Sequence, residues 1–270
     1  MGGLLEKAQK IAFITKKDNT ADVKQNIEGQ EINADKGFLG QLQTILKRKG
    51  KLYYLLLDLF APVLSSSAYR KAIKRLLRKY GQEYIVLNIG SGPTYFNNRQ
   101  DIINVDFYKY DEVDMVADII DLPIEDAKID FIINIAILEH IDKANTAIGE
   151  MFRILKPGGE VFCYIPFIVP FHGAPQDFHR WTMLGMEKLF SKFEILEIGI
   201  GAGPTSGLLW VFQEWVAILL SFGSEILHDA ILLILLVITM PLKFIDIILV
   251  KFPHAEKIAS GFYIVAKKKN

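Results

Sequence analysis

The spacing of apolar positions changes character several times along the chain, and each change marks an element. From Tyr84 to Ile89 a run rich in β-branched residues leads into Asn88-Ile89-Gly90-Ser91-Gly92-Pro93, which predicts a buried parallel strand ending in a glycine turn. Glycines at 90 and 92 let the backbone take steep dihedrals and approach a ligand closely. Short apolar runs follow at Ile102–Asp106, Val116–Pro123 and Ile129–Ile135, and a fifth at Glu160–Pro166 is announced by Leu155-Lys156-Pro157-Gly158-Gly159. Between the fourth and fifth, Ala147, Ile148, Met151, Phe152 and Leu155 recur at helical spacing, predicting a helix over Asn145–Leu155. Phe193–Ile198 alternates apolar and acidic residues like a half-exposed sixth strand. Gly261–Lys267 reads as a last strand. Such alternation of strand and helix predicts an α/β domain with helices on both faces of a mainly parallel sheet.

The flanks have a different pattern. Residues 1–35 are mixed, without sustained periodicity, and read as a mobile or loosely attached segment. Phe38, Leu39, Leu42, Ile45 and Leu46 then recur at helical spacing, residues 47–51 form a charged break, and Leu52–Phe60 is almost wholly apolar. Ser65, Ser66 and Ser67 offer N-caps for a helix over Ala68–Tyr80 that carries six Lys and Arg. This basic cap is expected to cover the ligand pocket, or to rest on an anionic membrane surface, at roughly 1 kcal/mol per well-placed cation. Thr182 reads as the N-cap of a helix over Met183–Phe190. Residues 207–252 form the most apolar stretch, in segments each shorter than the roughly 20 residues of a plain transmembrane helix. The chain thus divides into an N-terminal segment, 1–80, and an α/β domain, 81–270, that carries this insertion.

Charge sharpens the division. Net charge is zero over 270 residues, yet residues 1–80 hold 16 Lys/Arg against 7 Asp/Glu, and residues 81–207 hold 9 against 19. An acidic core argues against nucleic acid as a partner. Mean hydropathy of +0.24 is high for a fully soluble enzyme and points to an apolar surface. The single cysteine, Cys163, lies mid-strand and reads as core. No secretory signal is read in residues 1–13, where Glu6, Lys7 and Lys10 interrupt any apolar run.

As a set, VLNIGSGP at 86–93, Asp106, Ala117-Asp118-Ile119, LEHI at 138–141 and LKPGG at 155–159 resemble the class I S-adenosylmethionine (SAM) dependent methyltransferases, in particular the methyltransferase type 11 family. The resemblance covers roughly residues 84–200. It implies a Rossmann-like, seven-stranded, mainly parallel sheet whose last strand is antiparallel, and SAM as cofactor. Asn88, Gly90, Ser91, Gly92, Asp106, Asp118, Ile119 and Asn134 are the residues it implies at the cofactor. Asp106 stands where an acid accepts both ribose hydroxyls. Asn88 replaces the usual acid and so lacks its charge.

An antiparallel last strand also constrains the insertion, which must return to the sheet it left. A single bilayer crossing is then excluded, leaving helices in the interface or a re-entrant hairpin, with Trp210, Trp215, Lys243 and Lys251 as anchors; burial in a homodimer is the alternative. Candidates for proton transfer or substrate binding are His140, His172 and His179, with Asp177 as an orienting partner and Arg180 for an anionic group. His172, Asp177 and His179 have metal-ligand chemistry but match no metal-binding spacing, and no metal is expected.

The expected activity is methyl transfer to an amphipathic acceptor, such as a lipid-linked glycan, a quinone precursor or another lipid, on the cytoplasmic face of the cell membrane. The glycan among these rests on the resemblance of the Pro166–Arg180 loop to methyltransferases of cell-surface polysaccharide biosynthesis. A soluble small-molecule O- or N-methyltransferase, and a non-catalytic SAM-fold assembly partner, are the other readings.

Overall fold

A computed structural model describes residues 2–16, 61–93, 95, 96, 99–173 and 176–269. The helical pattern read over 37–60 lies outside them. Seven strands form one sheet: β1 (Val86–Ile89), β2 (Ile103–Asp106), β3 (Met115–Val116), β4 (Ile129–Ile135), β5 (Leu155–Pro166), β6 (Phe193–Ala202) and β7 (Gly261–Lys268). Their order is β3-β2-β1-β4-β5-β7-β6. The first five are mutually parallel, and β7 is antiparallel to both of its neighbours, β5 and β6. This is the Rossmann-like, seven-stranded topology with an antiparallel last strand expected from the sequence. The direction in which successive strands are added reverses at β1, which lies between β2 and β4, and that switch opens a crevice at the carboxyl ends of the strands.

Alternating side chains serve the two faces of the sheet. On one face Leu87, Val105, Ile132, Cys163 and Ile264 pack with Ala147, Ile148 and Met151 of α3 (Ala144–Ile154) and with Met186 of α4 (Met183–Leu189), whose N-cap is Thr182. On the other, α2 (Ser67–Lys79) lays Ala72, Ile73 and Leu76 onto Val86, Phe131, Ile133 and Phe162. The Ser66 hydroxyl caps α2 by accepting from the Tyr69 amide at 3.1 Å. The buried stripe of α2 packs on the sheet, and most of the rest of the expected cap over 37–80 lies outside the described residues. Two of its cations pair with acids of the domain, Arg75 with Glu197 at 2.5 Å and Lys79 with Glu160 at 2.9 Å.

Three boundaries differ from expectation. The third strand is only Met115–Val116, because the Asp118 carboxylate accepts from the Ile120 amide at 3.1 Å and turns the chain out of the sheet. The fifth begins at Leu155, with Gly158 at φ +78° carrying the strand through the glycine pair. The sixth runs on to Ala202.

The opening residues, read as loosely attached, form helix α1 (Gly2–Ile14). Ile14 is fully buried in the main core, and Lys7 pairs with Asp114 at 2.5 Å. Backbone bonds from Lys16 to Pro123 and from Glu125 to Ile14 stitch the helix end down. One turn of anchoring apolar residues was too short to register as a period.

The insertion runs from 204 to 258, a little longer than the 207–252 expected. Helix α5 (Pro204–Ser221) turns back at Phe222 and Gly223, both at positive φ, into α6 (Glu225–Thr239), capped by Ser224. A 3-10 turn (Met240–Ile245) and α7 (Asp246–Leu249) continue it, so that residues 225–249 make a 25-residue helical run, long and apolar enough to cross a membrane. Pro241, Lys243 and Asp246 do not break this run, because both charges are satisfied inside. Lys243 donates to the Ala61 carbonyl at 3.0 Å, so it is not an interfacial anchor. Asp246 caps α5, accepting from the amides of Thr205 and Ser206, each at 2.8 Å, and from the Ser206 hydroxyl at 2.6 Å. Both ends of the insertion join the same sheet, with Ala202 opposite Gly261, so it leaves and returns on one side.

Docking of α1 is testable. Replacing Ile14 with Ala is expected to cost about 2–5 kcal/mol, as for other buried large-to-small changes. Urea denaturation reads this directly; a loss below about 0.5 kcal/mol would mean that the helix is not part of the core.

Candidate active site

The glycine turn after β1 is held by its neighbour strand. Gly90 and Ser91 donate backbone N–H groups to the Val105 carbonyl, at 2.8 and 3.3 Å, and Gly92 donates to the Asp106 carboxylate at 2.8 Å. Gly90 and Gly92 sit at φ +76° and +58°, which a side chain would strain. A Cβ on Gly90 would also meet the Ile137 side chain at 2.2 Å, whereas one on Gly92 would meet nothing within 4 Å. Ser91 donates its hydroxyl to the Gly92 carbonyl at 3.2 Å.

Asp106 ends β2 with its carboxylate shared between two amides: Gly92 on one oxygen and Tyr108, at 2.9 Å, on the other. Burial pushes its pKa up while these amides oppose the shift. A carboxylate has about four lone-pair sites, so two remain for a diol. Asp118 is half-buried and caps its own turn, and the Ile119 side chain belongs to the core.

Two residues expected at the cofactor face inward instead. Asn88 is buried and donates to the Asn104 side chain at 3.3 Å, and Asn104 in turn donates to the Glu112 carbonyl at 2.9 Å. Asn134 is fully buried, donating to the Ile89 carbonyl at 3.2 Å and accepting from the Cys163 thiol at 3.4 Å. Both occupy the middle of the sheet, where a neutral amide bonds to adjacent strands at no cost in buried charge. They hold the end of β1 rather than line its crevice.

At the end of β4 the chain turns through Ala136, at φ +54°, into the 3-10 turn Leu138–His140. This places Glu139 wholly inside the protein, both side-chain oxygens lacking a hydrogen-bond partner among the described residues. Burial pushes its pKa up to about 8. Beside it, the His140 Nε2 lies 3.7 Å from a Glu139 oxygen, and the His140 and His172 rings meet edge to face at 5.2 Å. Burial lowers the pKa of His140.

The loop after β5 brings three of the expected residues together. Asp177 accepts from the His172 amide at 2.9 Å and forms a bidentate pair with Arg180, one arm at 2.6 Å. That pairing holds the Asp177 carboxyl down at about 2, so its charge is committed to the loop's own architecture. Arg180 also donates to the carbonyls of His179, at 2.8 Å, and Pro170, at 3.2 Å, which locks the loop's shape. His179 is elsewhere: its Nε2 bonds the Asp142 carbonyl at 3.1 Å and its ring packs on Trp181. His140 and His172 thus share a site that His179 does not.

The sequence reading left Glu139 without a role and used Trp210 only as an anchor. Trp210, from the insertion, packs on the His172 ring with centroids 5.7 Å apart. An acid set within Ile137-Leu138-Glu139-His140-Ile141 was the available signal for the first. Only the fold reveals the second.

Residues 39–163 match a family model described as a methyltransferase domain. No curated protein matches the chain. Among solved structures, similarity extends to a possible histamine N-methyltransferase from Thermotoga maritima, with 17% identity, TM-score 0.49, and coverage of 84% of this chain and 98% of that one. It also extends to phosphoethanolamine N-methyltransferase 2 of Haemonchus contortus in complex with SAM, with 16% identity, TM-score 0.46, and coverage of 74% and 53%. Geranyl diphosphate C-methyltransferase from Streptomyces coelicolor matches with 13% identity, TM-score 0.44, and coverage of 73% and 78%.

The two turn glycines are expected to differ. Both Gly90→Ala and Gly92→Ala should lose about 1–2 kcal/mol to the left-handed backbone. Gly90→Ala should lose about 1–3 kcal/mol more from the Ile137 collision, part of which Gly90→Ala/Ile137→Ala recovers. Denaturation midpoints of the three variants check the ranking, and equal losses for the single variants would contradict it.

Proposed function

This chain belongs to the class I SAM-dependent methyltransferases, type 11 family, with SAM as its cofactor, and we propose that it methylates an amphipathic acceptor presented at a membrane surface. The observation that carries this reading is the packing of Trp210 on His172. Through it, the candidate acceptor site at the carboxyl ends of β4 and β5 shares a wall with the apolar hairpin. Around that wall Leu208, Val211, Phe212, Trp215, Ile218 and Leu219 are exposed, a continuous apolar helix surface of the kind that marks a membrane or protein contact. An acceptor with an apolar tail beside the hairpin and a polar head at His140 and His172 fits both halves. The lipid-linked glycan, quinone precursor and other lipids are members of that class.

The cofactor supplies an electrophilic methyl group on a sulfonium, and the sulfur departs as a neutral leaving group. What the chain must do is hold donor and acceptor in line. Gly90 and Gly92 give the close backbone approach, Asp106 offers its two spare lone-pair sites to the ribose, and the Asp118–Ile119 turn flanks the base. Asn88 and Asn134 act one step removed, by fixing the end of β1. A base is needed if the acceptor is a hydroxyl or a carbon acid. His140 is suited to that role, because burial keeps it neutral and able to accept a proton. Asp177 and Arg180 position His172 through the loop, and the turned-away His179 is assigned no chemistry.

Titration calorimetry of the full chain with SAM and its demethylated product tests the cofactor site. Asp106→Ala is expected to weaken SAM binding at least about tenfold, the loss of charge-assisted hydrogen bonds worth about 1.5–3 kcal/mol; unchanged affinity removes Asp106 from the site. Flotation with anionic vesicles tests the membrane surface. The intact chain is expected to float, and Trp215→Glu/Ile218→Glu to stay at the bottom of the gradient. An intact chain that does not float contradicts the membrane half of the proposal alone.

A further inference from the structure

We propose that Glu139, His140 and His172 form a binding site for a divalent first-row metal ion of the zinc type. One ligand atom from each of the three lies within 4.8 Å of the others. Around a tetrahedral zinc with bonds near 2.0–2.1 Å, ligand atoms sit roughly 3.3 Å apart. Closing the cluster onto an ion therefore asks for side-chain adjustments of about an ångström.

Hydrogen bonding has already prepared the two imidazoles. The Nδ1 of His140 contacts the Gln176 carbonyl, and the Nδ1 of His172 lies 3.2 Å from the Pro170 carbonyl. A carbonyl oxygen only accepts, so each Nδ1 carries the proton and each neutral ring keeps its lone pair on Nε2. Fixing the tautomer through a backbone carbonyl is what protein zinc sites do with their ligating histidines. Both carbonyls belong to the same loop after β5, so one piece of backbone orients both rings. Asp177, the nearby carboxylate, is tied up by Arg180 and cannot compete with the site for the ion.

Glu139 supplies the stronger reason. Its carboxyl group is fully buried with neither oxygen hydrogen-bonded among the described residues, and a buried polar group without partners is costly in either protonation state. Among the described residues no donor reaches either oxygen within hydrogen-bond distance, and the lone-pair nitrogen of His140 lies 3.7 Å from one of them. A cation between them satisfies all three groups together, and with the ion bound the His140 lone pair is a ligand and no longer a base. Two histidines and one carboxylate leave a fourth position open. An acceptor oxygen could take that position.

Purified full-length protein, stripped with a chelator, should bind Zn²⁺ with one-to-one stoichiometry in competition with a chromogenic chelator. Substituted Co²⁺ should give the intense visible absorption of a tetrahedral site. Glu139→Gln and His172→Ala should each weaken Zn²⁺ at least about a hundredfold, more than the 10- to 100-fold typical of losing an outer-shell partner. His179→Ala should leave it unchanged. SAM titration of the same variants reports folding independently of the metal and keeps the cofactor reading separate. Absence of stoichiometric Zn²⁺ on a wild-type protein that binds SAM overturns the proposal. So does Zn²⁺ binding that survives both ligand substitutions.

Discussion

The carboxylate of Asp106, shared between the amides of Gly92 and Tyr108, is the contact on which the proposed cofactor site depends. It joins the turn after β1 to the end of β2 at the point where the sheet's direction of growth reverses. Because the glycine backbone has no preferred conformation of its own, an outside partner must hold the turn at φ +76° and +58°. Val105 and Asp106 do this from one side, and Ile137 fills the space above Gly90 from the other. Asn88 and Asn134 complete the frame from within the sheet, where charged residues would each leave an ion to be compensated.

The proposed acceptor side is organised around a second buried carboxylate contact. Asp246 caps α5 from the far end of the insertion, so the hairpin's base is closed where it meets the sheet. This leaves α5 and α6 free to project apolar side chains outward without unravelling at the root. Within the hairpin, the Gln213 amide donates to Thr239 at 2.6 Å, which fixes the register of the two helices. The consequence reaches the chemistry through Trp210, which leaves the hairpin to pack on His172.

Much of this was readable from the chain because the controlling patterns are local. Apolar runs that end in Gly90, Asp106 and Ile135 define strands whatever surrounds them, and Ser66 and Thr182 announced their helices by simple capping chemistry. What escaped depends on distance. The seat of α1 rests on Thr15 bridging to Ile124, more than a hundred residues away, beside Ile14 in the main core. The continuity of residues 225–249 rests on partners for Lys243 and Asp246 that no local pattern reveals. At the site, spacing grouped His172, Asp177 and His179, whereas the fold pairs His172 with His140 and Glu139. The 3-10 turn after Ala136 decides which way Glu139 points, and a three-residue turn has no period to read.

The central claim is that the methyl group goes to a molecule with an apolar tail. The direct measurement supplies the full chain with SAM labelled in its methyl group and with a total membrane extract, followed by partition into organic and aqueous phases. The account predicts enzyme-dependent label in the organic phase, carried by a species that gains the mass of one labelled methyl group in place of a hydrogen. Label confined to water-soluble products would contradict it.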